Sequence, residues 1–422
     1  MNDILVAGAG IGGLTTALAL HEAGLKVRVF EAAAEVRPLG VGINLLPHSV
    51  RVLTALGLGD RLAERAIPTA ELIFATKRGE QVWQEARGLA AGYRWPQYSI
   101  HRGRLQMLLL EAVLERLGPE RVTTGAALAD WTDDGAQVHA RFMDRQGGGT
   151  VVEASGAALI GADGIHSAVR RRDRPDEGPP IFSGRMMWRG MVEGAPFLTG
   201  RSMVQAGWAD QKFVCYPVCP DAAARGRSLI NWIAERRIEG PAPVKDDWNR
   251  PGDKADFADR FARWNFGWLD VPGLIAATPE CWVFPMVDRD PLTAWTRGRV
   301  TLLGDAAHPM YPIGSNGASQ AILDAECLVG ELAAHGDDVP AALSAYDAAR
   351  RPATSAIVLG NRAQGPDQVL QLVEDRAPDG FADLESVVPL AERAALAERY
   401  KRLAGFDPAI LNARGDRLAF MR

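Results

Sequence analysis

Residues 3–31 constrain the fold more than any other stretch. Residues 3–7 predict a short buried strand, Gly8-Ala9-Gly10-Ile11-Gly12-Gly13 a turn, 14–23 a helix stopped at Gly24, and 26–30 a second strand. Gly8 permits the tight turn, Gly10 lets the backbone approach a pyrophosphate, and Gly13 lets the helix lie against the sheet. The helix N-terminus then offers unpaired N–H groups and a partial positive charge to phosphate. Glu31 ends the second strand about twenty residues beyond Gly10, where a carboxylate accepts hydrogen bonds from an adenosine ribose and disfavours a 2′-phosphate. A lone G-x-G-x-x-G is a weak signal. Strand, turn, helix, strand and acid in this order predict a bound dinucleotide, without choosing FAD or NAD.

The 422 residues give room for two or three domains at about 150 each. An apolar share of 47 % with 23 % charged residues excludes disordered, collagen-like and coiled-coil chains. Lys and Arg number 47 against 52 Asp and Glu, a net charge of −5, so the basic excess of a nucleic-acid binder is missing. The four cysteines, Cys215, Cys219, Cys281 and Cys327, are too few for a disulfide framework and predict free thiols in a reducing compartment. Cys215 and Cys219 are not spaced C-x-x-C and lack a neighbouring histidine cluster, so no metal site is expected. The apolar run at 4–20 has no preceding basic residue and is interrupted by four glycines, unlike a signal peptide. No other run is long enough to span a membrane, and the expectation is a cytoplasmic protein.

Two later motifs choose the cofactor. Residues 157–164 read as an apolar strand ending in Asp163-Gly164, with Ser167 placed to cap a following helix. Residues 299–304 read as a strand delivering Gly304-Asp305 and then Ala306-Ala307-His308. Pro312-Ile313-Gly314-Ser315-Asn316-Gly317-Ala318 follows, before an apolar-periodic helix over 319–335. Taken alone, Gly304-Asp305 also suits a plain strand end with a cap residue.

In this order the three motifs resemble the FAD-dependent aromatic hydroxylases, single-component monooxygenases that include salicylate and para-hydroxybenzoate hydroxylases. Arg-Pro-Leu-Gly-Val-Gly-Ile-Asn at 37–44, Pro-Gln-Tyr-Ser-Ile-His-Arg-Gly at 96–103, Met-Trp-Arg-Gly at 187–190 and Pro-Met-Val-Asp-Arg-Asp-Pro-Leu at 285–292 look most like the phenazine hydroxylases within that family. The likeness runs to about Pro352. It implies FAD held by Gly8, Gly10 and Gly13, by Glu31 at the ribose, by Arg102 at the phosphate and ribityl region, and by Leu128 through backbone contacts to adenine. It also implies roles for Asp163 in flavin placement and nicotinamide engagement, for Gly304 and Asp305 at the ribityl hydroxyls, and for Gly317 and Ala318 at a helix end facing flavin N1 and the C2 carbonyl. One departure stands out: Ser315 and Asn316 occupy positions that many members fill with Gly and Gln.

The resemblance implies an α/β protein with a Rossmann-like FAD-binding domain, an inserted antiparallel-sheet substrate domain and C-terminal helices. The expected division is a discontinuous FAD domain over 1–180 and 280–350, a sheet domain over 181–279 with parts of 70–100, and a helical segment over 351–422 broken at Gly365-Pro366. Spaced strands at 185–192, 212–217 and 228–234 support the insertion, since their alternating apolar residues suit a one-faced sheet. The implied reaction is NADH- or NADPH-dependent hydroxylation of a small phenazine- or salicylate-like acid by O2 through a flavin C4a-hydroperoxide. On a carboxylated phenazine, hydroxylation at the carboxyl-bearing carbon would release carbon dioxide. No second dinucleotide motif is present, so nicotinamide visits transiently.

That chemistry is centred on the flavin and requires no particular catalytic residue. Candidates for the pocket are Trp188, Arg189, Tyr216, His308 and Pro312, with Trp208, Phe213 and Trp232 able to stack on a flat ring. The plainer readings are sheet core for the aromatic residues, a surface strand position for Arg189, a packed histidine for His308 and a solvated loop for Arg170-Arg171-Arg172. A flavin-dependent halogenase is the nearest alternative enzyme, but its W-x-W-x-I-P segment is missing. A non-enzymatic flavin-binding protein is the other alternative. The C-terminal helices suit either a monomer or a homodimer.

Overall fold

The computed structural model describes residues 2–144, 149–240 and 250–420. A five-stranded parallel sheet runs in the order Val300–Leu302, Ala158–Gly161, Ile4–Ala7, Val27–Phe30, Val122–Thr123. Ile4, Leu5 and Val6 are completely buried at its centre, as an unbroken apolar strand covered on both faces must be. Helix Ile11–Glu22 follows directly, three residues earlier than its apolar run suggests, because the glycine turn closes at Gly10. It packs beside helix Gly317–His335, which packs in turn on helix Val339–Arg362.

Seven further strands form one sheet in the order Cys281–Asp288, Ile181–Gly194, Ser228–Arg237, Gln211–Pro217, Ser202–Trp208, Glu71–Ala75, Gln81–Ala86. Every pair is antiparallel except Ser202–Trp208 with Glu71–Ala75. Cys281–Asp288 carries Pro285 and is an edge strand, the place where a residue without an N–H is tolerated. The sheet therefore extends past residue 279, the end of the insertion as the sequence suggests it.

Alternation gives this sheet two unlike faces. Trp188, Phe213, Cys215 and Trp232 pack under Phe257, Phe261, Trp264 and Val271. The opposite face carries Met187, Val214, Tyr216 and Ile233 and packs against Tyr311, Ile313 and the helix Gln368–Arg376. Here Lys212 is buried between Glu235, at 3.1 Å, and Asp367, joining the sheet to the C-terminal region.

Helix Val339–Arg362 passes through Pro352 without ending. Buried Tyr346 before the proline and buried Ile357 and Val358 after it hold the helix despite the missing backbone donor. A short turn at Gly365–Asp367 separates it from Gln368–Arg376. Among the described residues no helix is long and apolar enough to cross a membrane.

Candidate active site

The glycine turn sits at the C-terminal end of strand Ile4–Ala7. Gly8 has φ +110°, and a side chain there would collide with the Ala162 carbonyl. A Cβ on Gly13 would strike the Gly8 oxygen, whereas nothing lies within 4 Å of one on Gly10. The crest of the turn is thus open to a ligand while its flanks are filled. Glu31 accepts from the Ala9 N–H at 2.7 Å and the Ala33 N–H at 2.8 Å, so it braces the turn as well as standing at its rim. Gln106, unmarked by any motif, donates to the Ala9 carbonyl at 2.8 Å. Leu128 lies in strand Ala127–Asp133, packed against the core of this half. Just before it the Ala126 N–H donates to the Glu31 carbonyl at 2.8 Å, keeping this stretch beside Glu31.

Asp163 and Asp305 come from neighbouring strand ends. One Asp163 oxygen accepts from the Ala168 N–H at 2.7 Å, and the other is buried with no partner among the described residues. Burial pushes its pKa up against the Ser167 and Ala168 hydrogen bonds. Ser167 caps the next helix, accepting from the Arg170 N–H at 3.1 Å. Arg170 is only 1 % exposed, which corrects its reading as part of a solvated basic loop; Arg171 and Arg172 alone are exposed. Its guanidinium pairs with Glu177 and donates to the carbonyls of Ala307 at 2.9 Å, Asp290 at 3.1 Å and Ala306 at 3.2 Å. The first Asp-Gly motif is thereby bolted to the chain following Asp305.

Asp305 itself is exposed just beyond its strand end. A Cβ on Gly317 would stand 4.0 Å from its carboxylate, so the acid and the start of helix Gly317–His335 share one corner. Surrounding protein pushes the Asp305 pKa up, opposed by the charges of His308 and Arg102. Arg102 is exposed at the start of helix Arg102–Leu117, near enough for its charge to act on Asp305. His308, by contrast, is buried, with Nε2 at 2.5 Å from Asp324. Asp324 also receives the Gly304 N–H at 3.1 Å and Arg350 at 2.7 Å. Burial alone would raise the Asp324 pKa, but His308 and Arg350 outweigh it and hold it at about 2. His308 is therefore a packed anchor of the Gly304-Asp305 turn, and its candidacy for the pocket is withdrawn.

Three side chains from the inner sheet face converge on Gly42. Tyr216 Oη and Arg189 Nη2 each donate to its carbonyl at 2.8 Å, while Asn231 Oδ1 accepts its N–H at 2.7 Å. Arg189 Nε and Asn231 Nδ2 remain buried with no partner among the described residues. Burial lowers the Arg189 pKa against the pull of Tyr216, and raises that of Tyr216 to about 12. Trp188 lies on the other face, stacked on Phe257 with ring centroids 4.9 Å apart, and Phe213 and Trp232 join it there. Alternation that aims Arg189 inward necessarily sends Trp188 away, so Trp188, Phe213 and Trp232 are sheet core. Pro312 is exposed at the start of the 312–318 loop, and Ala318 is half-buried in the first helical turn.

An open glycine crest, a ribose-side acid, an orphaned Asp163 oxygen and Asp305 at an uncapped helix start fit FAD. Paired with a sheet wall carrying inward polar groups, they define a flavin-dependent oxidoreductase. A family profile described as FAD binding domain matches residues 1–243 and 276–360, and the chain belongs to that family. It is 50 % identical over 365 residues to the phenazine 1,6-dicarboxylic acid hydroxylase PhzS of Lysobacter antibioticus, covering 85 % of this chain and 89 % of that protein. It is 30 % identical to the salicylate hydroxylase of Pseudomonas putida, over 83 % and 81 % of the two chains. The structure of Klebsiella pneumoniae HpxO complexed with FAD and uric acid matches with a TM-score of 0.73 at 26 % identity, covering 96 % of each chain. The protein is an FAD-dependent monooxygenase of the aromatic hydroxylase class with NAD(P)H as cosubstrate, and neither a halogenase nor a non-enzymatic flavin binder fits these relatives as well.

Removing the Glu31 carboxylate by Glu31→Ala is expected to weaken FAD by about 1.5–3 kcal/mol, the range for hydrogen bonds to a charged group. Equilibrium titration of apoprotein with FAD checks this, and an unchanged affinity would remove Glu31 from the site.

Proposed function

We propose that the protein hydroxylates a carboxylated polycyclic aromatic acid of the phenazine class, releasing the carboxyl group as carbon dioxide. The observation that carries this reading is the pair of buried donors without partners, Arg189 Nε and Asn231 Nδ2, on the inner sheet face. Buried donors left unpaired cost free energy, and a substrate carboxylate would satisfy both. The 50 % identical relative named for a phenazine dicarboxylate supports the ring class.

Glu31, Leu128 and the turn at Gly8, Gly10 and Gly13 would hold the adenosine end of FAD. Arg102, Asp163, Gly304 and Asp305 would hold its phosphate and ribityl parts, with the N–H groups of Gly317 and Ala318 directed at the ring. When bound, FAD supplies the redox chemistry, accepting hydride from NAD(P)H and activating O2. Arg189 and Asn231 would orient the acid, and the apolar residues around Tyr311 and Ile313 would exclude water. The reaction balances as aromatic acid, O2, NAD(P)H and a proton giving phenol, carbon dioxide, water and NAD(P)+.

Asp305→Ala is expected to purify with much less FAD than the parent protein; full flavin occupancy would end its assigned role. The substrate assignment is tested by turnover of phenazine carboxylates under 18O2 with mass analysis of the product. One labelled hydroxyl in place of one carboxylate is the expected result, and a product that keeps its carboxylate would contradict the decarboxylation.

A further inference from the structure

Tyr400 lies in the helix Leu390–Ala404, beyond residue 360 where the family match ends. It is 5 % exposed, and its hydroxyl is the hub of the 311–316 loop. The Asn316 amide donates to that oxygen at 2.9 Å. Asn361 Oδ1 lies 2.9 Å away and the Ile313 carbonyl 3.2 Å away, as acceptors for its single proton. Asn361 spends its own N–H on the Tyr311 carbonyl at 3.1 Å, which fixes its amide so that the oxygen faces Tyr400. Asn316 and Asn361 are both fully or almost fully buried.

The phenol also shapes the backbone. Gly314 has φ +71° and Ser315 φ +58°, two successive left-handed residues. A side chain on Gly314 would collide with the Tyr400 hydroxyl, so the ring occupies the space above this turn. Ser315 has no such steric release and carries a left-handed conformation that is strained for an ordinary side chain. Hydrogen bonds on either side, at Ile313 and Asn316, are what hold it. From Asn316 the grip passes on, since Gln320 donates to Asn316 Oδ1 at 3.2 Å and to the Ala404 carbonyl at 3.1 Å.

We propose that Tyr400, oriented by Asn361, is a positioning residue that locks the 313–316 turn and so aims the Gly317 and Ala318 N–H groups at the flavin. The inference rests on the assignment of the 312–318 loop to the flavin, and the experiment separates the two. Tyr400→Phe keeps the packing and removes only the hydroxyl; Asn361→Ala attacks the same lock from the other side.

Amide hydrogen exchange on the apoprotein reads the lock without any flavin. Exchange across 313–318 should accelerate at least about tenfold in Tyr400→Phe, the loss expected for one or two buried hydrogen bonds. In the holoprotein the same variant should raise the FAD dissociation constant several-fold, shift the flavin reduction potential and release more hydrogen peroxide per NAD(P)H consumed. Asn361→Ala should show the same pattern. Unchanged exchange in both variants overturns the lock. Faster exchange with unaltered FAD affinity and potential, while Asp305→Ala still loses flavin, overturns the link between this turn and the cofactor. If Asp305→Ala also keeps its flavin, the underlying site assignment fails and the proposal falls with it.

Discussion

Arg170→Met is expected to lower folding stability by about 3–5 kcal/mol, the cost of removing one partner from a buried ion pair. The guanidinium is almost wholly enclosed and has no solvent to replace it. Its loss strands the Glu177 carboxylate, which then keeps only Arg289, at 3.1 Å, as an ion-pair partner among the described residues. It also leaves the carbonyls of Ala306, Ala307 and Asp290 without this donor. Two of those carbonyls directly follow Asp305, so the variant should lose FAD affinity together with stability. Denaturant titration of parent and variant checks the first part and flavin binding the second. A change below about 1 kcal/mol, the range of an exposed pair, would mean that Arg170 is solvated after all.

The second large effect depends on pH. His48 is enclosed beside Phe406, with ring centroids 5.7 Å apart, and the Gln320 amide lies 3.4 Å from Nε2. Burial, reinforced by the charges of Arg350 and Arg414, lowers its pKa from 6.5 to about 3, against smaller opposing contributions from the backbone at Leu46 and Ala404. The folded state thus holds a neutral ring while the unfolded chain takes up a proton below its ordinary pKa. Stability is complete above that value and falls as the pH drops towards 3, by about 1.4 kcal/mol for each pH unit. Asp324, depressed from 3.8 to about 2, adds its own loss as the pH falls from the first value through the second. Denaturant titrations of the parent and His48→Gln between about pH 6 and pH 4 should converge at this slope. Parallel curves would show that His48 is protonated in the folded protein.

The cofactor half was legible wherever chemistry needs a particular backbone. Gly8, Gly13 and the order of strand, turn, helix and acid follow from steric limits that any sequence must obey, and the structure places each where the spacing puts it. Roles set by distant packing were not legible. Arg170 looks like one of three surface arginines until the turn after strand Val300–Leu302, more than a hundred residues later, supplies carbonyls for it. Gln106, Asn231 and Tyr400 sit in no motif, and each holds backbone far away in the chain. Alternation along Ile181–Gly194 separates Trp188 from Arg189, but only the cover of Phe257 and Phe261 reveals which face points outward. Ser315 shows the opposite case, a non-glycine residue carried into the left-handed region by its neighbours' hydrogen bonds.

If an aromatic acid seats against Arg189 and Asn231 beside a flavin held at Asp305, the acid should govern how fast nicotinamide reduces that flavin. Anaerobic mixing of the FAD-loaded protein with NADH and with NADPH checks this, following loss of flavin absorbance alone and with phenazine carboxylates, salicylates and hydroxyquinolines. Marked acceleration of reduction by the phenazine carboxylates, lost in Arg189→Met, is the predicted result. Flavin reduction at one rate whatever compound is present, or none with either nicotinamide, would contradict it.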